Sequence, residues 1–201
     1  RRETGWMARG RPRTFNADEA LDRALDVFWR KGYEGATLPD LTEAMGINRP
    51  SLYAAFGNKE ELFRKALDRY MEGPASFVRQ ALEEPTAREV AEALLFGNIE
   101  LLCDPKTPRG CFAVQAALAC GDEAECLREE LCARRKSLEM AIRRRFQRAR
   151  NEGDLRAGAD PAALAGFLSA VTHGLAVQAA GGATRKELKR IAETALAAWP
   201  T

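Results

Sequence analysis

Residues Thr37–Lys59, TLPDLTEAMGINRPSLYAAFGNK, decide how the chain is read. Thr37 and Asp40 stand three apart, a looser form of the capping box, and Pro39 is tolerated in a first helical turn. Leu38, Leu41 and Met45 recur at spacings of three and four, one face of a helix. Gly46 suits the left-handed position just past that helix, Ile47 plugs the gap, and Asn48 caps a second helix expected over Arg49–Phe56. Leu52 and Phe56, at i and i+4, form its buried side, which leaves Arg49, Ser51, Tyr53, Ala54 and Ala55 on other faces.

Eight residues do not persist as a helix alone in water, so this one must lean on neighbours. Its free surface then offers a cation, a hydroxyl, a phenol and two alanines. Small side chains permit close approach to a DNA major groove, and an arginine matches a guanine edge. An ordinary helical hairpin within an all-α core has the same spacing, and spacing alone leaves both readings open.

The sequence from Gly46 to Leu62 goes further. Gly46-Ile47-Asn48-Arg49-Pro50-Ser51-Leu52-Tyr53, then Phe56, then Asn58-Lys59-Glu60 and Leu62, resembles the helix-turn-helix signature of the TetR family of bacterial repressors. That signature runs Gly-Val-Ser-x-x-Thr/Ser-Leu-Tyr-x-His/Tyr-Phe-x-Ser/Asn-Lys-Glu-x-Leu. Ala55 departs from it where His or Tyr is common, removing one expected DNA contact. Asn48 replaces Ser and preserves the cap. Gly32-Tyr33 through Thr37 also resembles the segment that precedes the family's motif.

Composition agrees with an all-α chain. Ala, Leu, Glu and Arg dominate, β-branched residues are few, and 46% hydrophobic with 30% charged residues suits a globular core. No apolar run is expected to span a membrane, and the basic start lacks the apolar stretch of a secretory leader. Five cysteines at irregular spacing match neither a disulfide framework nor a metal site, so a cytoplasmic chain with free thiols is expected. The net charge of +2 is uneven: residues 1–15 carry five arginines against one glutamate. Arg9-Gly10-Arg11-Pro12-Arg13 resembles an AT-hook core, so Arg9, Arg11 and Arg13 are candidates for a narrow minor groove, against the alternative of a solvated tail.

Three segments are expected: a basic arm over 1–15, a three-helix DNA-binding domain over 16–58, and a linker helix with a C-terminal bundle over 59–201. Asn16 and Glu19 form a capping box behind Phe15, a candidate staple, and that first helix ends near Lys31-Gly32. Asn58 and Glu61 open the linker helix, where Lys59 is unfavourable to the helix dipole unless an anion lies over it. Further helices are expected at about 75–83, 86–103, 112–119, 122–151, 161–180 and 185–199, with capping boxes at Thr86/Glu89 and Thr184/Glu187. The charge-rich run Arg134–Arg150 reads as a solvated helix face, and the lone His173 as a core or interface group.

The resemblance implies a homodimer on a palindromic double-stranded operator, released by a small-molecule effector, with no cofactor, metal or enzymatic chemistry. Arg49, Ser51, Ala54 and Ala55 would face bases, with Asn48 beside them. Thr37, Tyr53 and Lys59 would hold phosphate. The last two helices would pair with a partner's. Between the C-terminal helices, Phe77, Leu95, Phe96, Ile99, Cys111, Phe112, Gln115 and Phe167 are candidates to line an effector pocket. Cys111, following Arg109-Gly110 and opening a helix, is also placed to favour thiolate. A thiol-based repressor that senses electrophiles or oxidants through Cys111 is therefore the alternative, with Cys103, Cys120, Cys126 or Cys132 as resolving thiol, against plain packing of a small hydrophobe.

Overall fold

A computed structural model describes residues 15–118 and 125–200, and the described residues form ten helices with no strand. The arginines at 9, 11 and 13 lie outside the described residues, as do Cys120 and the side chain of Cys126. The helices are α1 (Ala17–Gly35), α2 (Leu38–Met45), α3 (Arg49–Phe56), α4 (Lys59–Glu72) and α5 (Phe77–Ala81). They continue with α6 (Ala87–Leu102), α7 (Phe112–Leu118), α8 (Glu125–Asn151), α9 (Pro161–Ala180) and α10 (Arg185–Ala197).

Local chemistry sets most boundaries. Thr37, Asn58, Thr86 and Thr184 each accept from the amide three residues on, and the acidic residue there accepts from the cap in return. Each reciprocal pair satisfies two amides that a helix start otherwise leaves unpaired. Asn16 caps α1, but Glu19 closes on its side-chain amide at 3.2 Å rather than on its backbone. The helical path of α1 breaks at Gly32, whose φ of 71° no L-residue adopts cheaply, and a final turn follows to Gly35. Helix α5 is shorter than expected at both ends, and Ser76 before it makes no side-chain cap bond.

Two apolar cores result. The first joins Ala24, Phe28, Leu41, Leu52, Phe63 and Leu67 of α1–α4 to Phe112, Ala116 and Leu131 of α7 and α8. The reading head is thus bonded through α4 to the rest of the chain by packing, not by a loop. Phe15 packs on Phe56, ring centres 6.3 Å apart, bridging the chain start to the end of α3. The second core gathers Val90, Leu95, Ile99, Phe146, Leu168, Leu188 and Trp199 from α6, α8, α9 and α10.

Two expectations are corrected here. Helix α9 has the length and mean hydropathy of a membrane span, contrary to the expectation from the sequence. Its inner side, with Ala165, Leu168 and Leu175, is buried, and its Thr172 carbonyl accepts from Asn98 of α6 at 3.2 Å. The run Arg134–Arg150 is not wholly solvated either. Arg145 is buried and donates to the carbonyls of Glu84 and Pro85, both at 2.7 Å, closing the chain end after α5.

Candidate nucleic-acid interface and regulatory cavity

Helix α3 is held from below and bare above. Leu52 and Phe56 sink into the first core, while Arg49, Tyr53 and Ala54 are exposed, with 47% of Tyr53 open to solvent. Gly46 makes the turn at φ 66°, donating its amide to Glu43 and Thr42, and Ile47 packs into the gap. The Asn48 carbonyl oxygen accepts from the Ser51 amide at 2.9 Å, so its amide group stays available. Gly57 ends α3 at φ 79°, and Asn58 starts α4 one residue later. Caps on both sides therefore fix the angle at which α3 projects.

Two of the expected phosphate ligands already have a partner within the chain. The Thr37 hydroxyl donates to Asp40 Oδ2 at 2.8 Å and accepts from the Asp40 amide at 3.3 Å. Its single proton is engaged by the cap in this structure. Lys31 joins the same carboxylate at 2.7 Å. Hydrogen bonds from Lys31 and from the Thr37 hydroxyl and backbone hold Asp40 down to about 2. Lys59 lies with Nζ 4.5 Å from the centre of the Tyr33 ring, and burial lowers its pKa against the raising effect of Glu34. The cation rests on the face of an aromatic ring beside the first turn of α4.

A second feature lies between α4, α6, α8 and α9: a cavity of about 110 Å³. Of the expected lining residues, Phe77 and Cys111 reach it. Leu95 and Ile99 face the second core, with Phe96 partly buried against it. Phe112 is fully buried on the other side, in a cluster of rings with Tyr70, Phe63 and Trp29. Gln115 turns back to donate to the Arg109 carbonyl at 3.1 Å, and Phe167 stands on the outer side of α9, 40% exposed. A helix stripe has a period but no absolute phase, so spacing alone did not say which apolar side faced the space.

The cavity instead takes Tyr70, Asn98, Arg134, Arg135 and His173 as its polar wall. The sequence did carry a sign of the arginines: Leu131, Arg134, Arg135, Leu138 and Ile142 lie on one face of α8 by spacing. Cys111 Sγ is 3.2 Å from the Tyr70 hydroxyl. Burial first, and then Cys111, raise the Tyr70 pKa well above the ordinary phenol value, so the phenol stays neutral. Cys103, Cys111 and Cys132 are free thiols, and no cluster able to hold a metal occurs among the described residues.

The capped α2–turn–α3 unit, the exposed polar face of α3 and the helical C-terminal bundle define a helix-turn-helix DNA-binding protein with a regulatory domain. Comparison makes this specific. Residues 20–66 match the model of the bacterial regulatory proteins of the tetR family, and residues 92–195 match the tetracyclin repressor-like C-terminal domain. The chain belongs to the TetR family of transcriptional regulators. It is similar to the HTH-type transcriptional repressor ComR of Escherichia coli K12, 36% identical over 195 residues, covering 96% of this chain and 93% of ComR. A cysteine mutant of the TetR family regulator CifR, complexed with 26-bp double-strand operator DNA, is 46% identical with a TM-score of 0.89. That match covers 94% of this chain and all of the CifR chain. A TetR regulator from Rhodococcus sp. RHA1 is 44% identical, TM-score 0.62, over 90% of this chain and 97% of its own.

Proposed function

We propose that this regulator is a homodimeric repressor that binds a palindromic operator and leaves it when a small molecule enters the cavity beside α8. The carrying observation is α3: buried through Leu52 and Phe56, capped at both ends, and exposing Arg49, Tyr53 and Ala54. In this reading Arg49, Ser51 and Ala54 meet base edges beside Asn48, with Ala55 turned part-way into the core, while Tyr53, Lys59 and the first amides of α4 hold phosphate. ComR is named as a repressor and CifR is seen with operator DNA, which supports repression on duplex DNA. In this reading the protein works in the cytoplasm.

A dimer suits a palindrome, because two copies of α3 must sit one helical turn apart, roughly 34 Å. Phe167 and Val177 of α9 and Ile191 of α10 are 40%, 52% and 40% exposed, large apolar groups on the two helices expected to pair. Their burial against a second copy would remove an otherwise costly patch. Occupying the cavity then favours one spacing of the two reading heads over another, a shift between two populations.

Selection of bound duplexes from a random library, at two salt concentrations, tests the reading. Recovery of a palindrome whose affinity falls steeply with salt is the expected result. Recovery of unrelated sequences, or a monomer by light scattering, overturns it.

One observation favours a covalent variant of the same switch: Cys111 lines the cavity with Tyr70 as hydrogen-bond partner. An electrophile entering the cavity would meet that sulfur. Mass spectrometry after mild peroxide or N-ethylmaleimide treatment decides it, and an unmodified Cys111 excludes the covalent route.

A further inference from the structure

The inner stripe of α8 raises a charge problem. Leu131, Arg134, Arg135, Leu138 and Ile142 all line the cavity, so two cations share a face that is otherwise apolar. Both are part-buried, and a guanidinium that has lost some of its water is stabilised by a counter-charge. Arg134 has two: Nη1 donates to Asp68 at 2.7 Å and Nη2 to Glu130 at 2.9 Å. Glu130 in turn accepts from Arg64 at 2.7 Å, so that group is a closed network tying α4 to α8. Arg135 has no such pairing among the described residues. Its Nη2 donates to Cys132 Sγ at 3.1 Å, a weak acceptor.

Facing Arg135 across the cavity is α9, which contributes Ser169 and His173. Burial lowers the pKa of His173, the charge of Arg135 lowers it further, and exposed Glu139 opposes both. The ring is therefore neutral at pH 7 and offers one N–H and one bare nitrogen. Asn98, another polar group nearby, already spends an amide proton on the Thr172 carbonyl. The space thus holds one cation without a paired carboxylate and a neutral donor opposite it, with Tyr70, Asn98, Ser169 and Thr172 as uncharged polar groups among the apolar walls.

Size narrows the occupant. The cavity of about 110 Å³ is smaller than a dry cavity of ~150 Å³ that takes up benzene. Its occupant is on the scale of a short chain.

Resting on the cavity being the effector site, we propose that the effector is a small organic monoanion. It has a compact apolar body against Leu138, Ile142 and Val114 and one carboxylate paired with Arg135 and hydrogen-bonded by His173. A carboxylate matches the planar fork of a guanidinium with two parallel hydrogen bonds. A neutral molecule would leave Arg135 without its counter-charge, and a cation would be repelled.

Sodium propionate and propionamide, equal in shape and different in charge, separate the possibilities when titrated calorimetrically into the full chain. Propionate is expected to bind at least tenfold more tightly than propionamide. Arg135→Gln should abolish that preference while leaving propionamide within twofold, and Arg135→Lys, which keeps the charge but not the fork, should retain part of it. Equal binding of the two probes by the unaltered protein, or a preference that survives Arg135→Gln, overturns the anion assignment and leaves the cavity reading standing. Failure of both probes to bind, or binding that persists when Leu138→Trp fills the space, overturns the cavity reading itself and the proposal with it.

Discussion

The indole Nε1 of Trp29 donates to the carbonyl of Gly110 at 3.0 Å, across 81 residues of sequence and in a buried setting. Trp29 belongs to α1 of the reading head, and Gly110 immediately precedes Cys111 at the cavity. Gly110 sits at φ 88°, and a Cβ there would displace the Gln115 amide and crowd Ala180 at 3.2 Å. The Trp29 ring also stands edge-on to Tyr70, centres 4.9 Å apart, and Tyr70 touches Cys111. One short loop thus contacts both the cavity and the helix that carries the DNA-binding core.

Trp29→Phe keeps a six-membered aromatic ring but removes the fused pyrrole with its N–H donor. It leaves a buried carbonyl unpaired, and urea denaturation should show a loss of about 1–3 kcal/mol.

Arg49→Ala should weaken operator binding by about 1–3 kcal/mol and relax base preference at one position of each half-site. Lys59→Ala should weaken binding evenly across sequences and lower the salt slope by about 1. Affinity measurements at several salt concentrations, on a matched and a mismatched duplex, distinguish the two behaviours.

Gly46 and Gly57 both have positive φ, yet their alanine variants should differ. At Gly46 an added Cβ meets nothing nearer than Arg23 at 3.6 Å, so only the left-handed backbone is strained, by roughly 1–2 kcal/mol. At Gly57 the Cβ would collide with the Glu61 carboxylate, which accepts from the Asn58 backbone amide at 3.1 Å. Gly57→Ala must break that cap as well, adding about 1 kcal/mol, and should tilt α3 and cost operator affinity. Denaturation and DNA binding measured side by side check the order.

Asp40 links Lys31, α2 and the start of the motif. Its pKa is lowered from 3.8 to about 2 in the folded chain. A group depressed by folding contributes stability above its unfolded value and loses it as pH falls through the folded one. The contribution should therefore be complete above about pH 4 and vanish towards pH 2. In that window Asp40→Asn should lose less stability with acid than the unaltered protein.

Much of the fold was legible before any coordinates. The expected spans of α3 and α9, Arg49–Phe56 and Pro161–Ala180, are those observed, because Asn48 and Asp160 cap them and Pro50 and Pro161 sit in their first turns. The face that α3 buries was also legible, since Leu52 and Phe56 leave it no other choice. The cavity was not. Phe112 and Leu95 look like lining residues in sequence, and they fill the cores instead. Arg134 and Arg135 look like solvated charge, and they form the cavity wall. On α9, apolar on most sides, composition did not distinguish Phe167 outside from Leu168 inside.

Taken by itself, the sequence determined where most helices begin and which family's reading head they build, since caps, glycine turns and first-turn prolines act over three or four residues. Tertiary structure alone decided which helix faces meet. That choice joined Trp29 to Gly110, spent the Thr37 proton on a cap, and left Arg135 facing an apolar space without a carboxylate. Such pairings depend on the rotation of each helix against neighbours dozens of residues away, which periodicity within one helix does not encode.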